Sequence, residues 1–229
     1  MQKPFSSATI RSDPSLADRL QHENTLWASG VEHIAGLDEV GRGPLAGPVV
    51  AAAVIFSPTT PAPPQGLRID DSKALSAGQR EEAFAWIRAQ ARAFAIARVD
   101  PEVIDNINIR QAAFLAMSRA LAQLPIQPDH LLVDGFELPE VSIPQMALVK
   151  GDRHSLSIAA ASILAKVERD RLMQEYHHRF PQYQFDRNKG YPTRAHIEAI
   201  RQWGFCPIHR RSFRPKQLIE EGFFDDEPT

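Results

Sequence analysis

An α/β fold, in which helices flank a mixed β-sheet, is predicted by two observations on the sequence. Short apolar runs of the kind that form buried strands alternate with segments of helical apolar spacing through the first two-thirds of the chain. Helical patterns dominate the last third, which predicts a helical C-terminal part beginning near residue 180. A chain of 229 residues is long enough for one such domain, which we place at residues 31–216.

The first two predicted strands form a candidate hairpin. Residues 34–38 are a short apolar run that ends in acid, and residues 49–56 are apolar throughout, as in a strand buried on both faces. Gly41 and Gly43 between them allow backbone angles that other residues avoid. The proline-rich residues 57–66 cannot continue a central strand, so we expect a surface loop there.

The later elements follow from capping and periodicity. Ser76 and Gln79 have the spacing of a capping box, which predicts a helix over residues 77–91. Short apolar runs predict further strands, and apolar residues at helical spacing predict further helices. The strands are expected at 94–99, 130–133 and 146–149, and the helices at 106–124, 158–176 and 194–203.

The two ends of the chain carry few structural signals. Residues 1–30 are polar and irregular, so we expect a loosely held extension with a short helix around residues 16–27; residues 217–229 form an acidic tail. The N-terminus does not resemble a secretory signal, and the longest apolar stretch, residues 48–56, is far shorter than the ~20 residues that span a bilayer. With a single cysteine, Cys206, these features predict a cytoplasmic protein without membrane association, and we expect a monomer.

Acidic residues mark the ends of three predicted strands. Asp38 and Glu39 follow the first apolar run, and Asp134 and Asp152 follow two later ones, each with glycine nearby. Ligand sites in open α/β sheets form where strands end, so these acids are candidates for one shared site. Acids at strand ends also act as turn formers or helix caps, and from position alone both interpretations stay open.

A carboxylate cluster of this kind suits phosphodiester hydrolysis. Two divalent cations can activate the attacking water and stabilise the leaving oxygen, and hard oxygen ligands favour Mg²⁺ or Mn²⁺. Neighbouring residues of a strand point to opposite faces, so Asp38 and Glu39 can share an ion only if the strand ends between them. The glycines of Gly41-Arg42-Gly43 predict that it does end there.

Several sequence blocks resemble the motifs of the ribonuclease HII family, in the family's order. The first is Gly-Leu-Asp-Glu-Val-Gly-Arg-Gly-Pro-Leu-Ala-Gly at residues 36–47. The resemblance extends over roughly residues 33–216, and one departure is Ala159, where the family usually has serine. The later blocks lie at residues 71–75, 133–135, 150–152, 160–167, 177–183, 189–193 and 209–213.

The resemblance implies a ribonuclease H-like fold with a helical C-terminal extension. It implies that Asp38, Glu39, Asp134 and Asp152 are both the catalytic residues and the ligands of two Mg²⁺ or Mn²⁺ ions. It also implies that the substrate is an RNA–DNA hybrid or duplex DNA with an embedded ribonucleotide. Such enzymes cut on the 5′ side of a ribonucleotide and leave 3′-hydroxyl and 5′-phosphate ends.

Two elements are expected to recognise the ribose 2′-hydroxyl, which distinguishes RNA from DNA. Gly41-Arg42-Gly43 can bring bare backbone groups close to a sugar, although glycines at this spacing also form plain tight turns. Tyr191 can stack on a sugar or base and donate a hydrogen bond, although a half-buried core role is the alternative. The resemblance assigns the loop to ribose reading and Tyr191 to the RNA–DNA junction.

Phosphate contacts must come from a local patch, since the formal net charge is −2. Each candidate could equally be an ordinary solvated surface group. A zinc site involving His177, His178 or His209 is disfavoured because no cysteine or HExxH spacing accompanies them. The candidates for phosphate contact are Ser72, Lys73, Lys166, Arg210 and Arg211.

Two other classes of function remain for comparison. One is a different ribonuclease H-like phosphoryl-transfer enzyme, such as a transposase or a junction resolvase, which would not need a reader of the 2′-hydroxyl. The other is a nucleic-acid binding module without catalytic activity. Retention of all four carboxylates argues against the second class.

Overall fold

A five-stranded mixed sheet forms the centre of the computed structural model, which describes residues 16–220 and 223. Its strand order is β3-β2-β1-β4-β5; β2 is antiparallel to β1 and β3, whereas β4 is parallel to β1 and β5. This confirms the predicted N-terminal hairpin and the mixed sheet. The strands are β1 Ile34–Val40, β2 Val49–Ile55, β3 Ala93–Val99, β4 His130–Asp134 and β5 Gln145–Leu148.

Helices flank this sheet and dominate the chain after β5, as predicted. The capping box at the start of α3 is present: Gln79 N donates to Ser76 Oγ at 3.3 Å, and Ser76 N donates to Gln79 Oε1 at 2.8 Å. Single 3-10 turns lie at Gly151–Arg153 and Pro181–Tyr183. The helices are α1 Leu16–Arg19, α2 Gln21–Ala28, α3 Ala77–Gln90, α4 Pro101–Ile107, α5 Ile109–Ala122, α6 Leu156–Arg179, α7 Phe185–Asn188, α8 Arg194–Trp203 and α9 Lys216–Ile219.

The two faces of the sheet pack against different helices. All seven residues of β2 are buried. Alternate residues, from Val49 to Ile55, belong to the core that β2 shares with α5. The residues between them, Val50, Ala52 and Val54, face α3 and α6. The long helix α6 approaches β1 very closely, because a Cβ on Gly36 would lie 2.2 Å from the backbone carbon of Ser157. Small residues on both elements therefore bring α6 against the strand that carries Asp38.

One predicted helix is in fact two. The apolar spacing over residues 106–124 conceals a break at Asn108, whose φ of 69° ends α4 and starts α5. Asn108 Oδ1 accepts from the backbone N–H groups of Arg110 and Gln111 at 3.0 and 3.1 Å, so it acts as the N-cap of α5. Periodicity continues across the break because both helices pack on the same core.

The expectation of a loosely held N-terminal extension is wrong for the part that is described. Glu23 in α2 is fully buried, and its Oε1 accepts from Ser155 Oγ at 2.6 Å and from Ser157 N at 3.0 Å. Arg19 is also buried and forms an ion pair with Asp70 at 2.8 Å. These long-range contacts, which polar composition does not reveal, fasten α1 and α2 to the start of α6.

The remaining expectations for the chain ends concern few described residues. Residues 1–15 and most of the acidic tail lie outside the described part, although α9 buries Leu218 at the start of the predicted tail. Within residues 16–220, every helix is too short or too polar to cross a bilayer.

We predict that Glu23→Ala lowers the free energy of unfolding by about 2 kcal/mol, because it leaves buried donors of Ser155 and Ser157 without their acceptor. Urea denaturation at neutral pH measures this. The exposed Glu32 supplies a matched control, and Glu32→Ala should change stability by less than about 0.5 kcal/mol. Equal effects of the two substitutions would contradict an anchoring role for Glu23.

Candidate active site

Asp38 and Glu39 both lie inside β1, which continues to Val40. They pair with Ala52 and Ala51 of β2, so the expectation that the strand ends between them is wrong. Their side chains leave opposite faces of the sheet. The Asp38 side chain contacts the Ser162 hydroxyl of α6, whereas Glu39 faces α5 and forms an ion pair with Arg42 at 3.3 Å.

Parallel pairing brings Asp134 beside Asp38. The last paired residues of β1 and β4 are Leu37 and Val133, and an acid follows directly on each strand. Asp134 Oδ1 accepts from the backbone N–H of Gly151 at 2.6 Å, which ties it to the 3-10 turn that carries Asp152. These contacts bring Asp38, Asp134 and Asp152 toward one edge of the sheet, and that they form one shared site stays a prediction.

The acidic side chains are partly buried and repel one another. Burial raises the pKa of Asp38 well above its usual range, and the charges of Glu39 and Asp134 raise it further. Burial likewise raises the pKa of Asp134. Burial, then the charges of Asp71 and Asp134, raise the pKa of Asp152 to about 6. The carboxyls of Asp38, Asp134 and Asp152 are therefore held where a positive charge would stabilise their ionised forms.

Asp71 is a further acid of this cluster, which the sequence analysis did not select as a site residue. Its charge raises the pKa of both Asp134 and Asp152. Its carboxylate accepts from the backbone N–H of Lys73 at 2.9 Å and pairs with Arg153 at 3.3 Å. Its position beside Ser72 and Lys73, in one of the motif blocks, was the available signal.

The cluster has the donor chemistry of a divalent cation site but is not a closed cage. Within residues 16–220 and 223, no three His, Cys, Asp or Glu side chains converge closely enough to hold a metal ion. Carboxylate oxygens whose pKa values are raised by burial and mutual repulsion nevertheless suit a hard cation, which would neutralise them. The candidate holders of such a cation are Asp38, Glu39, Asp134 and Asp152, and their role as ligands stays a prediction.

Arg210 shapes the Gly41-Arg42-Gly43 loop instead of contacting solvent. It is fully buried, and its guanidinium donates to the backbone carbonyls of Gly41, Arg42 at 3.0 Å and Gly47 at 2.8 Å. Arg210 was predicted to contact phosphate, and its burial contradicts that prediction. The side chain of Arg42 is 49% exposed and lies beside Glu39, at the rim of the acidic cluster.

Arg169 supports the same loop from α6, and the sequence analysis missed it. Its guanidinium donates to the carbonyls of Ala46 at 3.1 Å, Pro48 at 3.0 Å and Lys189 at 3.0 Å. At Gly41, where φ is 97°, a Cβ would lie 2.3 Å from Arg169 Nε, so no larger residue fits without displacing the arginine. An arginine inside a helix ordinarily indicates a surface position, so the sequence did not predict that Arg169 is buried.

Tyr191 lies next to the glycine loop. A Cβ on Gly43 would be 3.5 Å from Tyr191 Cε1, and Leu45 N donates to Gly190 O at 2.8 Å. The tyrosine is 40% exposed, so the alternative of a half-buried core aromatic does not describe it. The structure thus places both expected ribose-reading elements side by side.

The other phosphate candidates occupy different environments. Ser72 is buried with its Oγ 3.0 Å from Ser162 Oγ, and Lys166 donates to Asp170 at 2.6 Å. The exposed Lys73 is close enough to lower the pKa of Asp134 and Asp152. Arg211 stacks over the Phe205 ring at 4.7 Å. Contact of these residues with phosphate stays a prediction. Of the four, Lys73 is the best placed for it.

Two buried histidines of the C-terminal part, His196 and His209, contact each other and the backbone. His196 Nε2 lies 3.0 Å from His209 Nε2, and Cys206 N donates to His209 Nδ1 at 2.9 Å. Burial lowers the pKa of His209 to about 3, so the ring is neutral at physiological pH. His196 Nδ1 lies 2.9 Å from Tyr191 O, which makes this buried chain a support for the tyrosine's backbone.

We predict that Asp152→Asn stabilises the protein at pH 7.5 in EDTA, by about 1 kcal/mol after allowance for solvent screening. The pKa of Asp152 in the folded state, about 6, exceeds the usual 3.8. Ionisation of Asp152 therefore lowers the free energy of unfolding of the wild type as the pH rises from 3.8 to about 6. As the pH falls through 3.8 the carboxyl of the unfolded state also becomes protonated, so the advantage of the variant should nearly vanish by pH 3.5. Thermal denaturation across pH 3.5–8 measures this, and a variant less stable than wild type at pH 7.5 would contradict it.

Known proteins resemble this chain over most of its length. The profile of the family described as Ribonuclease HII matches residues 35–216. A curated ribonuclease HII from Pelodictyon phaeoclathratiforme is 56% identical over 203 residues, covering 87% of this chain and 98% of the relative.

Solved structures confirm the ribonuclease H-like fold. The ribonuclease H2 from Pyrococcus horikoshii OT3 superposes with a TM-score of 0.71 at 28% identity, covering 85% of this chain and 100% of that one. The RNase HII of a PCNA complex from Archaeoglobus fulgidus gives a TM-score of 0.65 at 27% identity, covering 82% and 99%. The chain described here belongs to the ribonuclease HII family.

Proposed function

We propose that this protein cuts duplex DNA on the 5′ side of a single embedded ribonucleotide, as well as RNA in RNA–DNA hybrids, and leaves 3′-hydroxyl and 5′-phosphate ends. Family membership establishes the coarser activity, a metal-dependent endoribonuclease of RNA–DNA hybrids. The observation that carries the finer proposal is the juxtaposition of the acidic cluster with the glycine loop and Tyr191.

The acidic cluster defines the place of the chemistry. Asp38, Glu39, Asp134 and Asp152 would hold two Mg²⁺ or Mn²⁺ ions, which when bound supply an activated water and stabilise the leaving oxygen. Asp134 and Asp152 are kept together by the Gly151 N–H, so their spacing is set by backbone and not by flexible side chains. Lys73 adds positive charge beside them, where the scissile phosphate would lie.

The glycine loop and Tyr191 would select the sugar. The guanidinium groups of Arg169 and Arg210 hold the carbonyls of the loop on its inner side. Gly43 itself carries no side chain, so its backbone can approach a ribose closely. The Tyr191 ring beside it can pack on the sugar while its hydroxyl donates to the 2′-oxygen, which DNA lacks.

A duplex of DNA with one ribonucleotide tests the proposal. We expect a single cut 5′ of the ribonucleotide with Mg²⁺ or Mn²⁺, no cut with EDTA, and no cut in the matched all-DNA duplex. Cleavage of the all-DNA duplex would indicate another ribonuclease H-like nuclease. Binding without cleavage would indicate a binding module, and either result would overturn the proposal.

Asp134→Asn should lower kcat on this substrate by at least about 100-fold, because a charged metal ligand is lost. The amide oxygen can still accept from Gly151 N, so the melting temperature in EDTA should stay within about 2 °C of wild type or rise slightly. Single-turnover cleavage and thermal denaturation measure the two effects. Turnover near the wild-type rate would remove Asp134 from the metal site.

Tyr191→Phe should reduce kcat/KM on the single-ribonucleotide duplex by about tenfold, the effect of losing one hydrogen bond to the 2′-hydroxyl. Affinity for Mn²⁺ should not change, because the ring is outside the acidic cluster. Tyr176→Phe, at a tyrosine on α6, is the matched control. Unchanged kcat/KM in the Tyr191 variant would exclude the hydroxyl from sugar selection.

A further inference from the structure

Phe136 exposes an aromatic ring at the edge of the acidic cluster. It lies two residues after Asp134, and 58% of it is exposed. Gly135, with a φ of 81°, turns the chain at this point, and Phe136 N donates back to Asp134 O at 3.1 Å. The turn therefore directs the chain so that a large apolar side chain stands beside a carboxylate of the site.

A small cavity connects this ring to the acids on the α5 side of the sheet. Its lining includes Glu39, Arg42 and Asp134 from the candidate active site, together with Arg110, Phe114 and Phe136. The exposed aromatic and the acids thus belong to one continuous surface.

Arg110 completes this surface with a positive charge. Its guanidinium lies 5.5 Å from the centroid of the Phe136 ring and 5.7 Å from that of Phe114. It is exposed in the first turn of α5, which the Asn108 cap holds in place. An aromatic face with an adjacent arginine is the combination by which proteins hold a nucleobase and its phosphate without sequence preference.

We propose that Phe136 and Arg110 form a stacking subsite for a nucleobase of the substrate, one that flanks the scissile linkage. The inference rests on the proposed function, since it needs nucleic acid in the acidic cluster. Phe136 stacks on the face of the base, and Arg110 contacts the phosphate of the same nucleotide and holds the ring by its cation–π contact. The subsite serves any sequence, because every base presents a π face.

The exposure of Phe136 argues against a purely structural role for its ring. Leu138, two residues later, is 2% exposed and belongs to the core with α5, so the segment already has an apolar anchor. Phe136 adds little to that core while facing solvent beside polar and charged groups.

The first test compares substitutions at Phe136 in steady-state cleavage of the single-ribonucleotide duplex. Phe136→Ala should raise KM about tenfold with kcat within about twofold, and Phe136→Trp should keep KM near wild type. Ile219→Ala, at an exposed apolar residue of α9, is the control and should leave both constants unchanged. Arg110→Gln should also raise KM. It should reduce the slope of log affinity against log salt concentration by about one.

The second test observes stacking directly. In the Asp134→Asn background, which should bind without cutting, tryptophan placed by Phe136→Trp should lose fluorescence on addition of the duplex. The same background without that tryptophan corrects for Trp27, Trp86 and Trp203.

The outcomes separate this inference from the proposed function. If wild type cuts at the ribonucleotide but Phe136→Ala has an unchanged KM, the subsite is refuted and the proposed function stands. If wild type does not cut, the proposed function fails, and fluorescence alone decides whether a base stacks here. If Phe136→Ala instead changes the oligomeric state measured by light scattering, the ring contacts a second copy of the chain and the subsite is likewise refuted.

Discussion

Two buried arginines that donate to backbone carbonyls hold together the part of the molecule on which the site depends. Arg169 comes from α6 and Arg210 from the C-terminal helical part, yet both guanidinium groups end on the segment between β1 and β2. Burying a charge is costly unless its donors are satisfied, so each arginine is stable only when those carbonyls converge on it. The loop, the long helix and the C-terminal part therefore adopt their arrangement together.

The acidic cluster is held by the opposite arrangement, in which like charges are brought together by packing. Close approach of α6 to Gly36 and parallel pairing of β1 with β4 place Asp38 beside Asp134. Burial penalises their ionisation, and the packing energy of two apolar cores offsets that penalty. A rigid scaffold thus keeps a set of carboxylates that would otherwise move apart, which is what binding of a small divalent cation needs.

Local patterns predicted what local forces determine. The fully apolar β2 and the capping box of α3 were readable because burial and capping act over a few residues. The acids at the strand ends could be grouped because parallel strands finish at one edge. Asn108 was not readable as a break, because both of its neighbouring helices bury residues in the same core.

The errors share a cause in long-range packing. An arginine is ordinarily a surface residue. Arg210 is buried because the loop between β1 and β2 wraps around its guanidinium. Asp38 and Glu39 were expected at a strand end because they follow an apolar run and precede Gly41 and Gly43. They lie on opposite faces of β1 instead, so each meets a different helix and the site receives side chains from both sides of the sheet.

The anchoring of α2 has a consequence for where the functional unit of this protein begins. The family model matches from residue 35 onward, yet Glu23 Oε1 accepts from Ser155 and Ser157 at the start of α6, and Arg19 donates to the backbone carbonyl of Asp152 at 3.3 Å. The region that the family model matches and the region that holds the Asp152 turn in place therefore begin at different residues. A shortened protein that begins at residue 35 would retain every motif block and still loosen the turn that presents Asp152.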